Sequence, residues 1–137
     1  MLLFEEKEPT LEELVYDLKI SKKSYEKLIE LSMLDNLKLL LKKDNDISLC
    51  QSDLKNVFDG KDIIGYIGWK EENISISIFD ATKEVKDIII FLQDKEYKES
   101  MMNEIIDTIK NEKNFNINYV FGFKKSFNKK IWGLIVG

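Results

Sequence analysis

The sequence contains no histidine and no arginine; all 21 of its positive charges are lysines. Without an imidazole, Ser-His-Asp and Cys-His catalysis and most zinc sites are excluded. Without a guanidinium, the planar fork that grips phosphate and guanine edges is missing too. A single cysteine, Cys50, rules out an internal disulfide and reads as a small core or loop residue rather than a nucleophile. No apolar run reaches the ~20 residues of a membrane span. The start, Met1-Leu2-Leu3-Phe4-Glu5-Glu6, is too short and too acidic for a signal peptide. A cytoplasmic location is therefore expected, with no membrane, metal or cofactor and no catalytic set, so the chain is expected not to be an enzyme.

What is present is enough for a folded core. Hydrophobic residues make up 44% of the 137 positions, and the net charge is −4. That length fits one domain, or one domain with a helical extension. After a lead-in over 1–9 ending at Pro9, Thr10-x-x-Glu13 is a capping box, with Leu11, Leu14, Val15 and Leu18 at helical spacing. Ser21 caps a second helix expected to run to about Lys42, with Tyr25, Leu28, Ile29, Met33, Leu37, Leu40 and Leu41 on one stripe. Asp44-Asn45-Asp46 ends it, as a solvated helix exit. Asp53 is placed to cap a short helix from Leu54 to Phe58, and Asp59-Gly60 is a turn.

Strands follow. Ile63–Trp69 is the first, with Gly65 and Gly68 marking a bulge or a close backbone approach. These glycines form no nucleotide loop, since neither G-x-G-x-x-G nor the Walker pattern is present. Residues 73–86 carry two patterns. Asn73 to Ile78 alternates as a strand would, while Ile74, Ile78, Ala81, Val85 and Ile88 fit a helical stripe; helix is the expectation. Asp87–Leu92 is a buried strand. Tyr97, Met101, Ile105 and Ile109, widened by Met102 and Ile106, give the clearest helix. The stretch from Phe115 to Gly137 holds two apolar runs around a lysine-rich turn with Lys124, Lys125, Lys129 and Lys130, the pattern of a strand pair. The fold class expected is α/β (α+β): a two-layer mixed sheet with helices on one face, preceded by one or two N-terminal helices. Residues 1–43 form the helical segment and 44–137 the α/β domain.

Several strings resemble the FtsZ/tubulin family, from about Ser24 to Gly137. Asp35-Asn36 is similar to an Asp-Asn of the family's central helix. Asp53-Leu54-Lys55-Asn56-Val57-Phe58 resembles the Asp-Val-Lys/Arg-Thr-Val-Met segment that opens its C-terminal domain. Ile64-Gly65-Tyr66-Ile67-Gly68 sits at its Met-Gly-x-Gly strand, and Glu72-Asn73 at a Gly-Glu-Asn/Asp that starts a helix. Asn118-Tyr119-Val120-Phe121-Gly122 and Ile131–Gly137 resemble its last two strands. The resemblance implies a tubulin C-terminal-domain-like fold. The family's Gly-Gly-Gly-Thr-Gly-x-Gly loop is missing, so GTP binding of the family's kind is not expected. The family's activating loop, Asn-x-Asp-x-x-Asp, corresponds here to Ser48, Cys50 and Asp53, and only the last acid remains.

Three functional readings follow. In the first, the chain is a non-enzymatic interaction protein that binds FtsZ or a related filament and caps or inhibits it, through Gln51, Ser52, Asp53, Lys55 and Asn56. In the second, residues 10–28 form a helix-turn-helix with Lys22, Lys23 and Lys27 toward phosphates. The acidic balance and the missing Arg and Gln argue against nucleic acid. In the third, the chain is a small-ligand domain that forms a homo-oligomer through its sheet edge. One continuous helix over 21–42 favours the first reading over the second.

Overall fold

The structure, a computed structural model, describes residues 10–112 and 118–137. The lead-in over 1–9, the exit of the clearest helix at 113–114 and the first residues of the C-terminal stretch at 115–117 lie outside the described residues. Four short helices come first: α1 (Leu11–Asp17), α2 (Lys22–Glu30), α3 (Asn36–Leu40) and α4 (Gln51–Phe58). The expected caps form. Thr10 Oγ1 accepts the Glu13 N–H at 3.2 Å, and Ser21 Oγ accepts the Ser24 N–H at 3.1 Å.

The single helix expected over 21–42 is instead two. Leu31 ends α2, Ser32 takes a left-handed φ of 56°, and the N–H groups of Ser32 and Met33 bond back to the carbonyls of Ile29 and Leu28. That is a Schellman closure, which satisfies the last carbonyls and turns the chain. α1 closes the same way at Lys19, φ 55°, with Lys19 and Ile20 bonding back to Tyr16 and Val15. The apolar stripe persists across the break because Leu28, Leu37 and Leu40 all enter one core.

The sheet has five strands: β1 (Ile63–Lys70), β2 (Asn73–Ile78), β3 (Asp87–Asp94), β4 (Asn118–Lys125) and β5 (Lys130–Val136), in the order β2-β1-β5-β3-β4. The helix expected over 73–86 is a strand over 73–78. Glu71 and Glu72, at φ 51° and 64°, make a two-residue turn that folds β2 antiparallel onto β1, with Lys70 opposite Asn73. The alternation of Ile and Ser, matched to a pleated half-buried surface, prevails over the weaker helical stripe.

The two C-terminal strands also differ from the expected pair. β4 lies parallel to β3, and β5 is antiparallel to both β3 and β1, so β3 sits between them. α5 (Glu99–Glu112) makes the crossover from β3 to β4. A crossover of this kind places the next strand parallel to the first, and the lysine turn then carries the chain past the end of β3. There the Ser126 N–H bonds the Asp94 carbonyl.

The α/β class and the mixed sheet stand as expected, but the helices cover both faces rather than one. Ile89, Phe91, Trp132, Leu134 and Val136 pack with α1–α4. Ile88, Ile90, Leu92, Ile131 and Ile135 pack with Met101, Met102, Ile105, Ile106 and Ile109 of α5. Alternate residues of a strand point to opposite faces. Strands apolar at every central position therefore need cover on both. Leu18, Leu28, Leu37 and Leu40 share the first of these cores with Leu54 and Phe58, so residues on both sides of position 43 pack together.

Candidate partner-binding surface

α4 places the five residues singled out by the sequence. Leu54, Val57 and Phe58 turn inward. The helix spacing therefore leaves Gln51, Ser52, Lys55 and Asn56 on the exposed side, with Asp53 half-buried. Asp53 differs from the others in being already engaged. Its carboxylate accepts the backbone N–H of Cys50 at 3.2 Å and the Cys50 thiol at 3.0 Å. The Cys50 Sγ also lies 2.9 Å from Ser52 Oγ. Of the two places expected for it, core or loop, Cys50 takes the loop, exposed at the helix start. Asp53 thus closes the N-terminus of its own helix, where a negative charge also meets the positive end of the helix dipole.

Lys55 lines an open groove of about 740 Å³ with Val15, Tyr16, Lys19, Lys22 and Tyr25 from the α1–α2 corner. Lys55 therefore joins α4 to this corner in a groove of mixed charge, since Glu12 and Asp17 line it too. Sequence reasoning missed this neighbourhood, because nothing in the local pattern says that α1 ends beside α4.

The lysines of the helix-turn-helix reading are largely answered within the chain. Lys23 lies 3.8 Å from Asp80, and Lys27 pairs with Glu30 at 3.2 Å and sits over the Phe79 ring. The inner face of α2 is seated on the sheet by Ser24 and Leu28, both buried. Ser24 Oγ accepts the Ile63 N–H. A helix with acids beside its lysines offers little to a phosphate backbone. The break at Leu31–Asp35 also departs from the continuous helix that the filament reading expects, while α2 and α3 both pack toward the sheet.

The acids after α3 find lysines and backbone. Asp46 accepts the Lys125 N–H at 2.6 Å, and Asp44 lies 3.6 Å from Lys124. They tie the loop to the outer side of β4, where Ile47 and Phe123 exchange backbone hydrogen bonds. Among the described residues no group of three or more acidic or cysteine side chains could hold a metal ion. None of the helices there is long and apolar enough to cross a membrane.

No family model matches the chain, and no curated protein matches it. Among solved structures it is similar to the FtsZ dimer of M. jannaschii, in its empty state, at 15% sequence identity and a TM-score of 0.52. The match covers 91% of this chain and 43% of the FtsZ chain. The fold is that of an FtsZ C-terminal-like domain, and the chain spans less than half the length of the protein it resembles.

Proposed function

We propose that this chain is a non-enzymatic, cytoplasmic interaction protein that binds a filament-forming partner of the FtsZ kind and caps or inhibits its assembly, with a bearing on cell division. The observation that carries the reading is the unequal coverage: nearly all of this chain, but under half of an FtsZ chain, takes part in the likeness. In a head-to-tail filament each subunit has two complementary ends. A chain offering only one of them occupies the partner's other end and does not pass the contact on.

The exposed side of α4, with Gln51, Ser52, Lys55 and Asn56, is the docking surface in this reading, and Asp53 holds that helix in shape. In this reading the nucleotide at the contact is the partner's, since these 137 residues carry no glycine-rich phosphate loop. Asp53, the one acid within this helix, has its Oδ2 turned onto Cys50.

The test is sedimentation of FtsZ from the source organism, polymerised with GTP, with and without substoichiometric amounts of this protein. The expected result is a loss of pelleted polymer that Lys55→Glu relieves. Unchanged polymer with no co-pelleting overturns the proposal.

A further inference from the structure

The two edges of the sheet are built differently. The outer side of β4 is blocked: Ile47 bonds Phe123, Asp46 holds the Lys125 N–H, and two lysines end the strand. Such devices keep an edge from pairing with another chain. β2, the opposite edge, has none of them. Its sequence, Asn-Ile-Ser-Ile-Ser-Ile, holds no charge and no proline, and no strand lies beyond it among the described residues. A short, uncharged, β-prone strand with a free edge is a template for strand addition.

The hydrogen-bond phase fixes what that edge presents. In a two-residue hairpin the residues flanking the turn are a bonded pair, here Lys70 and Asn73. Bonded and non-bonded pairs then alternate. Gly68–Ser75 and Tyr66–Ser77 are therefore bonded, while Ile74, Ile76 and Ile78 turn their N–H and C=O groups away from β1. The Phe79 N–H, which donates to the Ile64 carbonyl at 2.9 Å, continues the same phase. The three isoleucine side chains project on the α5 side of the sheet with Trp69, all half-buried.

We propose that β2 pairs with β2 of a second copy of this chain, antiparallel about a two-fold axis through Ile76. This register is the one that pairs all three isoleucines. Ile74 of one copy faces Ile78 of the other, Ile76 faces its counterpart, and Ser75 faces Ser77, so like meets like on both faces. Every outward N–H and C=O of the three isoleucines finds a partner. The strand brings no charge to the contact. A one-residue slip sets outward-bonding isoleucines against serines and mismatches the pleat, and a two-residue slip brings Glu72 opposite Ile78 and loses bonded pairs. The arrangement is isologous and closes at two copies. At the rim Glu72 of one copy approaches Asp80 of the other, so association strengthens as salt screens that repulsion. The inference is independent of the filament reading, because β2 and α4 are separate surfaces.

The test is sedimentation velocity of the whole chain across a concentration series, with circular dichroism of each variant. The wild type is expected to move from monomer to twice the monomer mass. Ile76→Pro removes one outward N–H and leaves the β1 ladder intact, so it is expected to stay monomeric with unchanged spectra. Ile74→Glu and Ile78→Lys each weaken the dimer, and the two together set opposite charges across the same pair and restore it. A wild-type chain monomeric throughout, a dimer indifferent to Ile76→Pro, or a double variant as weak as the single ones overturns the proposal. Open, growing assemblies overturn it as well.

Discussion

Ser24 Oγ accepts the backbone N–H of Ile63 at 2.9 Å, fastening α2 to the first residue of β1. Ser24 is 1% exposed, so no water competes for that bond. Its hydroxyl lies 3.0 Å from Ser21 Oγ, whose own proton is committed to Asp62 at 2.6 Å. Ser24 is therefore the donor of the pair, and its hydroxyl is used in both directions. Ser24→Ala leaves a buried N–H unpaired. It is expected to cost about 1–3 kcal/mol. The check is a lower denaturant midpoint at an unchanged slope.

The same junction carries a charge pair whose contribution depends on pH. Lys83 Nζ lies 2.6 Å from Asp62 Oδ2. The bond to Lys83, then the one from Ser21, holds the Asp62 carboxyl below its ordinary value of 3.8, against a smaller opposing effect of burial. A carboxyl lowered by folding stabilises fully above its unfolded pKa, and that stability is lost as pH falls through the folded one. Lys83 is raised from 10.5 by its bond to Asp62, so its share is present below that value and lost as pH rises through the folded pKa. Thermal melts are expected to be flat between these limits. Asp62→Asn is expected to lower stability near neutrality and to make the acid limb shallower.

Gly65 and Gly68 look alike in the sequence and differ in the fold. A Cβ on Gly65 would meet the Ser77 carbonyl oxygen at 2.5 Å, whereas one on Gly68 meets nothing within 4 Å. The register between β1 and β5 shifts next to Gly65. Gly65→Ala is expected to destabilise by about 1–3 kcal/mol through that clash with backbone. Gly68→Ala is expected to stabilise by about 0.5–1 kcal/mol, by restricting the unfolded chain. Melting temperatures moving in opposite directions check both.

Periodicity located the core because burial imposes it. Met101, Ile105 and Ile109 were legible as the inner face of a helix, and Ile88–Leu92 as a buried strand, since each pattern suits one geometry. The helix break at Ser32 was not legible, because a Schellman turn without glycine leaves no residue type to mark it. The same holds for Glu71-Glu72, a turn in which Asn-Gly would have announced a hairpin. The placement of β3 between β4 and β5 depends on which strands pair at long range, and local pattern does not encode that. At the candidate surface, the exposed side of α4 was readable from its spacing. The use of Asp53 as a cap was readable in part, and the groove shared by Lys55 and the α1–α2 corner was not.

That division between Asp53 and Lys55 separates folding from binding. Asp53 sits in the first turn of α4 and satisfies the Cys50 N–H. Removing it, as in Asp53→Ala, is expected to cost about 0.5–1.5 kcal/mol through loss of its half of the capping box. Any loss of activity toward a filament in that variant would then mix an unravelled helix with a lost contact. Lys55 lies on the exposed side and neither caps the helix nor enters the core. Lys55→Glu places a negative charge near the helix C-terminus, a penalty of about 0.3–1 kcal/mol. Its melting temperature is expected to lie close to that of the parent while its sign at the surface is reversed. Inhibition of FtsZ sedimentation that vanishes in Lys55→Glu at near-parental stability assigns the contact to this face. Inhibition that vanishes only in Asp53→Ala, in step with its lower melting temperature, places the contact elsewhere.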